Sequence, residues 1–185
     1  TNERITKPSD APLGSVLVLR LDSELTSLEQ YGKNMELVTY TLSQQETQLS
    51  SINNLLLSVQ SLVTAAADAS YGEDELKAMA NELAVLMPGI ADLLNAKDGN
   101  GNHLFAGSEI DQQPFIKDAT GQYIYQGDSL VRKVAVSSNT LVDANIVGSD
   151  LVPGATFLND LQDYVALLQA PPAGGAGRHG LCRCG

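Results

Sequence analysis

LDSELTSLEQYGKNMELVTYTLSQQETQLSSINNLLLSVQSLVTAA, residues 21–66, is the stretch on which the fold turns. Leu21, Leu25, Leu28, Gly32 and Met35 step by four and three, and Val38 follows after three more. Leu42, Gln45, Leu49, Ile52, Leu56, Val59, Val63 and Ala66 then resume the alternation. Apolar residues at this spacing form a heptad seam along one side of an α-helix, here with a single three-residue stammer between Gly32 and Val38. No proline occurs from Leu13 to Ala69. At ~1.5 Å per residue such a helix is about 80 Å long. That exceeds the width of a small globule, so the helix belongs to a coiled coil, an elongated bundle or a filament. Gln45 interrupts the seam with a polar group, which either sets register or is merely tolerated.

Upstream, TNERITKPSDAP (residues 1–12) is polar and carries two prolines. It reads as extended chain leading into the helix, with Ser9 and Asp10 suited to the N-cap and Pro12 to the first turn. Downstream, ASYGEDE (residues 69–75) marks a turn and a second helix with acids in its first turn. Leu76, Met79, Leu83, Leu86, Ile90, Leu93 and Lys97 continue the spacing. The short connection predicts an antiparallel partner for the first helix. Pro88-Gly89 is expected to kink or break it. The hairpin's remaining apolar faces call for at least one more helix.

After Lys97 the period changes. HLFAGS (103–108), QPFIKDATGQYIYQGD (113–128) and SLVRKVAVSSNTLVDANI (129–146) are short β-rich runs divided by Gly, Asp and Asn. Ile116 to Tyr125 reads as a hairpin turning at Asp118 to Gly121. TFLNDLQDYVALLQ (156–169) returns to helical spacing through Phe157, Leu161, Tyr164, Val165 and Leu168. The fold class is therefore mainly α: a long, heptad-bearing helical hairpin or bundle, elongated, with a small antiparallel β unit of three or four strands. The organisation is a helical rod over 1–97, a β-rich unit over 98–155, a returning helix over 156–170, and a disordered tail of foreign composition over 171–185. Cys182 and Cys184 both lie in that tail, so the body has no disulfide framework.

The net charge of −11 argues against nucleic acid and against an anionic membrane surface. No run approaches the ~18 apolar residues of a membrane-spanning helix, so no membrane insertion is expected. The chain starts at Thr1 with no signal peptide in view and reads as a fragment. Hydrophobic residues are 43% but aromatics only 5%, which predicts an aliphatic core.

DGNGNHLFAGSE (98–109) imitates a calcium loop, with Asp98, Asn100 and Asn102 at alternate positions and Glu109 in the twelfth place. It fails at the sixth position, where His103 replaces the glycine, and strand-like residues follow instead of a helix. The simpler reading is a helix terminus whose Gly99, Gly101 and asparagines tolerate a left-handed turn. His103 and His179 are the only histidines, and His103 reads as a surface turn residue. No nucleophile elbow, zinc motif, P-loop or dinucleotide fingerprint appears. No metal, no cofactor and no catalytic residues are expected.

Three stretches carry a resemblance. RITKPSDAP ahead of the heptad helix, with Arg4, Ile5, Pro8, Ser9, Asp10 and Pro12, resembles the N-terminal segment of the bacterial flagellin family. So does NAKDGNGNHLFAGSEIDQQPF, through Leu104, Phe105, Gly107, Ser108, Pro114 and Phe115. GQYIYQGDSLVRKVAVSSNTLVDANIVG is similar to the β segment that follows, on the hook-associated side of the family. The resemblance covers roughly residues 2–169. Departures are His103 where the family has an aromatic, Ala11 where it often has Asp, Pro88-Gly89 inside the second helix, and no counterpart of the terminal helices. What the resemblance implies is a structural subunit, exported through the growing flagellum and assembled at the junction between hook and filament. Its implied partners are a homo-oligomeric ring, a neighbouring hook-associated protein, flagellin, and an export chaperone with its export apparatus. The alternatives are a flagellin of the filament itself and, from another class, a calcium-binding module on 98–109. The seam residues Leu21, Leu25, Leu28, Met35, Leu42, Leu49, Ile52, Leu56, Val59 and Val63 are the candidate packing surface between helices or subunits.

Overall fold

In the computed structural model, residues 12–68, 70–151 and 155–170 are described. Arg4, Ile5, Pro8, Ser9 and Asp10 lie outside them, as do the tail's His179, Cys182 and Cys184 and the side chain of Pro12. Helix α1 runs Pro12–Ala66 without interruption. Helix α2 spans Glu73–Leu94, with Glu73, Asp74 and Glu75 at the positive end of its dipole. Two hairpins follow. Strand β1 (Phe115–Lys117) pairs antiparallel with β2 (Tyr123–Tyr125), and β3 (Lys133–Ser137) with β4 (Thr140–Asp143). A single turn, α3 (Gly148–Leu151), precedes α4 (Thr156–Gln169).

α1, α2 and α4 form a three-helix bundle along the C-terminal half of α1. The turn after Ala66 joins α1 to α2 at one end, while Gly89 near the far end of α2 lies beside Leu55, so the two helices are antiparallel. α4 starts at the β hairpins, where Asn159 meets Tyr123, and ends where Gln169 reaches Asn81. It therefore runs antiparallel to α2. Every seventh residue of α1 is buried from Val38 onward: Val38, Gln45, Ile52, Val59 and Ala66. The companion row, Leu42, Leu49, Leu56 and Val63, is half-buried. On α2 the buried row is Leu76, Ala80, Leu83, Met87, Ile90 and Leu94, whereas Met79, Leu86 and Leu93 lie at its flank. α4 adds Leu158, Leu161, Val165 and Leu168, so Leu158 takes the buried place that the spacing gives to Phe157.

Several expectations need correction. Pro88 does not break α2, which continues to Leu94. Proline costs the helix the N–H bond to Ala84, but Ile90, Ala91 and Leu94 beyond it are buried and hold the last turn in place. HLFAGS is no strand: apart from a Lys97–His103 bridge it is a chain of turns. The β region is two separate two-stranded hairpins instead of one sheet. The first turns at Asp118–Gly121, with Gly121 at φ +84°.

Candidate assembly surface

The apolar seam is closed over only part of its length. Ile52 is 4% exposed and Val59 4%, whereas Leu21, Leu25, Leu28 and Met35 are 51%, 57%, 58% and 48% exposed. Val16, Leu17, Val18 and Leu19 just before them are also exposed, giving the start of α1 an apolar surface on all sides. A helix apolar all round is ordinarily buried, and the uncovered stripe is a candidate contact surface.

Between the open and closed halves the β hairpins are fastened to the helices by side-chain amides. Gln45, wholly buried on α1, donates from Nε2 to the carbonyls of Leu104 (2.6 Å) and Ile146 (3.0 Å), and its Oε1 accepts from the Ile146 amide (3.1 Å). Asn34 Nδ2 donates to Ala135 O on β3 (2.7 Å). Asn95, at the end of α2, exchanges two bonds of 2.8 Å with the Phe115 backbone. Asn159 of α4 does the same for Tyr123 at 2.7 and 3.0 Å. Asn95 and Asn159 each supply one donor and one acceptor, as a neighbouring strand would. The short strands thus find their missing partners on helices. Sequence reasoning noticed only Gln45. Asn95 and Asn159 carried a faint signal, a single amide beside apolar positions at a helix end.

Leu104 and Phe105 are buried, as are Pro114 and Phe115. Gly107 has φ +72°, and a side chain there would strike Asp128. Ser108 donates to the Asp128 carboxylate from both its amide (2.7 Å) and its hydroxyl. These bonds, the hydroxyl's first, hold Asp128 below the ordinary carboxylate range. Tyr125 Oη donates to the carbonyls of Phe105 (3.0 Å) and Asp128 (2.9 Å). Its burial pushes the phenol upward. The motif residues thus build a packed corner.

The calcium-like loop closes on itself. Asp98 Oδ1 accepts from the amides of Asn100 (2.8 Å) and Asn102 (2.9 Å), and Gly101 has φ +88°. Burial raises Asp98, but the bonds from Asn102, Asn100 and Gly101 together outweigh it and hold the carboxyl low. Glu109 sits in a different turn, its amide on Ala106 O. Among the described residues no three His, Cys, Asp or Glu side chains stand together as a metal site. His103 is not a surface residue. It is 7% exposed, and its Nδ1 lies 2.8 Å from Asn95 O. A carbonyl only accepts, so Nδ1 carries the proton and the ring clamps the end of α2.

These features define a class: an elongated helical protein whose long helix carries an open apolar stripe. A family model described as the bacterial flagellin N-terminal helical region matches residues 1–109, and the chain belongs to that family. It is 28% identical over 142 residues to flagellar hook-associated protein 3 of Salmonella typhimurium, covering 77% of this chain and 44% of that protein. The structure of a candidate flagellar hook-associated protein from Vibrio parahaemolyticus matches with a TM-score of 0.81 and 30% identity, over 90% of this chain and 75% of that one. The flagellar junction protein FlgL of Legionella pneumophila matches with a TM-score of 0.63 and 28% identity, over 75% and 42% of the two chains. This chain spans less than half the length of its Salmonella relative.

Proposed function

We propose that the chain is a structural subunit of the bacterial flagellum, standing outside the cell at the junction of hook and filament. The observation that carries this reading is the half-open seam of α1. Its C-terminal half is sealed within the chain, whereas Leu21–Met35 stays exposed and needs other helices. Likeness to hook-associated proteins supports this location. The work is mechanical, done through helix packing, with no catalytic step. Partners follow from the same reading: further copies arranged in a ring, a neighbouring hook-associated protein on one side and flagellin on the other. An export chaperone and the export apparatus handle the chain before assembly. A body without cysteine passes a narrow channel with no disulfide to form on the way.

A second reading, flagellin of the filament, draws on the flagellin family match itself. Immunogold electron microscopy on the native bacterium separates the two. The antibody is raised against residues 110–150, the hairpin region. One gold band where hook meets filament is the expected result. Label along the whole filament means flagellin instead, and label confined to the cell interior rejects both.

A further inference from the structure

The buried row of α1 repeats every seven residues, and four of its five members, Val38, Ile52, Val59 and Ala66, are apolar. A slide of α1 by seven residues, about 10 Å at ~1.5 Å per residue, presents almost the same aliphatic surface to the bundle. The seam is also longer than its cover, because exposed Leu21, Leu25, Leu28 and Met35 extend it toward the N-terminus. Hydrophobic contact is non-directional. Burial by itself therefore does not tell the long helix where to stop. The six residues between Ala66 and Glu73 leave enough chain to follow such a slide.

Gln45 breaks this degeneracy. It is the one polar member of the buried row, with 0% exposure. Its amide is bound at both ends, to Leu104 on one loop and Ile146 on another, residues 59 and 101 positions away along the chain. A slide that brings Val38 or Ile52 to this place strands two carbonyls and one amide N–H in the interior. It also moves the Gln45 amide among aliphatic side chains, and both consequences are unfavourable in a medium of low dielectric. We propose that Gln45 is a register lock: it fixes the axial position of α1 against the hairpins and the rest of the bundle. Asn34, on Ala135 O, grips the same unit from a half-buried place and is the lesser contact.

The test measures axial position directly. Nitroxide labels go on Glu46→Cys of α1 and Lys77→Cys of α2, both exposed positions, in the full chain with Cys182→Ser and Cys184→Ser. Pulsed electron–electron resonance on this background gives one narrow distance. Asn34→Ala with Gln45→Leu is expected to keep its helical circular dichroism and to add a second distance. Moving the lock one heptad, as Val38→Gln with Gln45→Leu, is expected to shift the main distance shorter by up to about 10 Å, since Glu46 then advances toward the Lys77 end. Ile52→Leu, an apolar exchange in the same row, keeps a single distance. An unchanged single distance in either Gln45→Leu background overturns the proposal. So does loss of helix in those variants, because a lock chooses among folded arrangements and does not make one possible.

Discussion

Truncating the seam at two places gives opposite results if one half is sealed and the other open. Ile52 is 4% exposed within the core, and Leu25 is 57% exposed. Ile52→Ala removes buried methyl and methylene groups and leaves a cavity between α1, α2 and α4. Such truncations cost about 2–5 kcal/mol. For a chain of this size each kcal/mol is worth about 2–4 °C, so a mid-range loss of ~3 kcal/mol lowers Tm by roughly 6–12 °C. Leu25→Ala loses little burial, and alanine is the better helix former, so its effect stays within about 0.5 kcal/mol. Ile52→Asp exceeds Ile52→Ala, because it also takes a carboxylate out of water. The assay is helical circular dichroism during thermal and urea unfolding, at micromolar protein and again tenfold more concentrated. Equal losses for Leu25→Ala and Ile52→Ala at the lower concentration would refute the open stripe. Its residues would then already be covered in the isolated chain.

Asn159→Leu leaves the Tyr123 amide and carbonyl without their partner. It should cost about 1–3 kcal/mol, with faster hydrogen exchange at Tyr123. Two glycines should respond oppositely to alanine. At Gly89 the added Cβ meets Leu55 at 3.5 Å, an ordinary contact, so the helix gains about 0.5–1 kcal/mol and melts higher. At Gly148 it would lie 2.8 Å from Phe105 O and 2.9 Å from Tyr125, so Gly148→Ala should melt lower. Asp98, Asp118 and Asp128 all sit below the ordinary 3.8. The unfolded chain then binds more protons in acid. Their contribution is full above about pH 4 and drains away as pH falls through the folded values. Tm should therefore be flat from about pH 7 to 5 and fall below 4, less steeply in Asp128→Asn. A slope unchanged by that substitution would count against the Ser108–Asp128 bond.

The helices were legible because their signal is repetitive. Residues 21–66 of α1 hold a period that no strand shares, and the first hairpin was marked by Asp118–Gly121 between apolar runs. Pro88 misled because its local penalty is real, yet the buried residues beyond it decide the outcome. His103 misled for a related reason. It stands among glycines and asparagines, but the chain folds back so that its ring meets the end of α2. The amide ties were hidden because an asparagine that replaces a strand partner looks, in sequence, like one facing water. Only the fold brings Asn159 to Tyr123, 36 residues away.

The fastening of the hairpins by neutral amides bears on the medium around the protein. Among the described residues the one ion pair, Lys133 with Asp143, is exposed. Gln45, Asn95 and Asn159 carry no charge that dissolved ions could shield. Adding salt therefore weakens little that holds the fold, and it screens the self-repulsion of a net charge of −11. The fold is therefore expected to change little with ionic strength, which suits the extracellular place proposed for it.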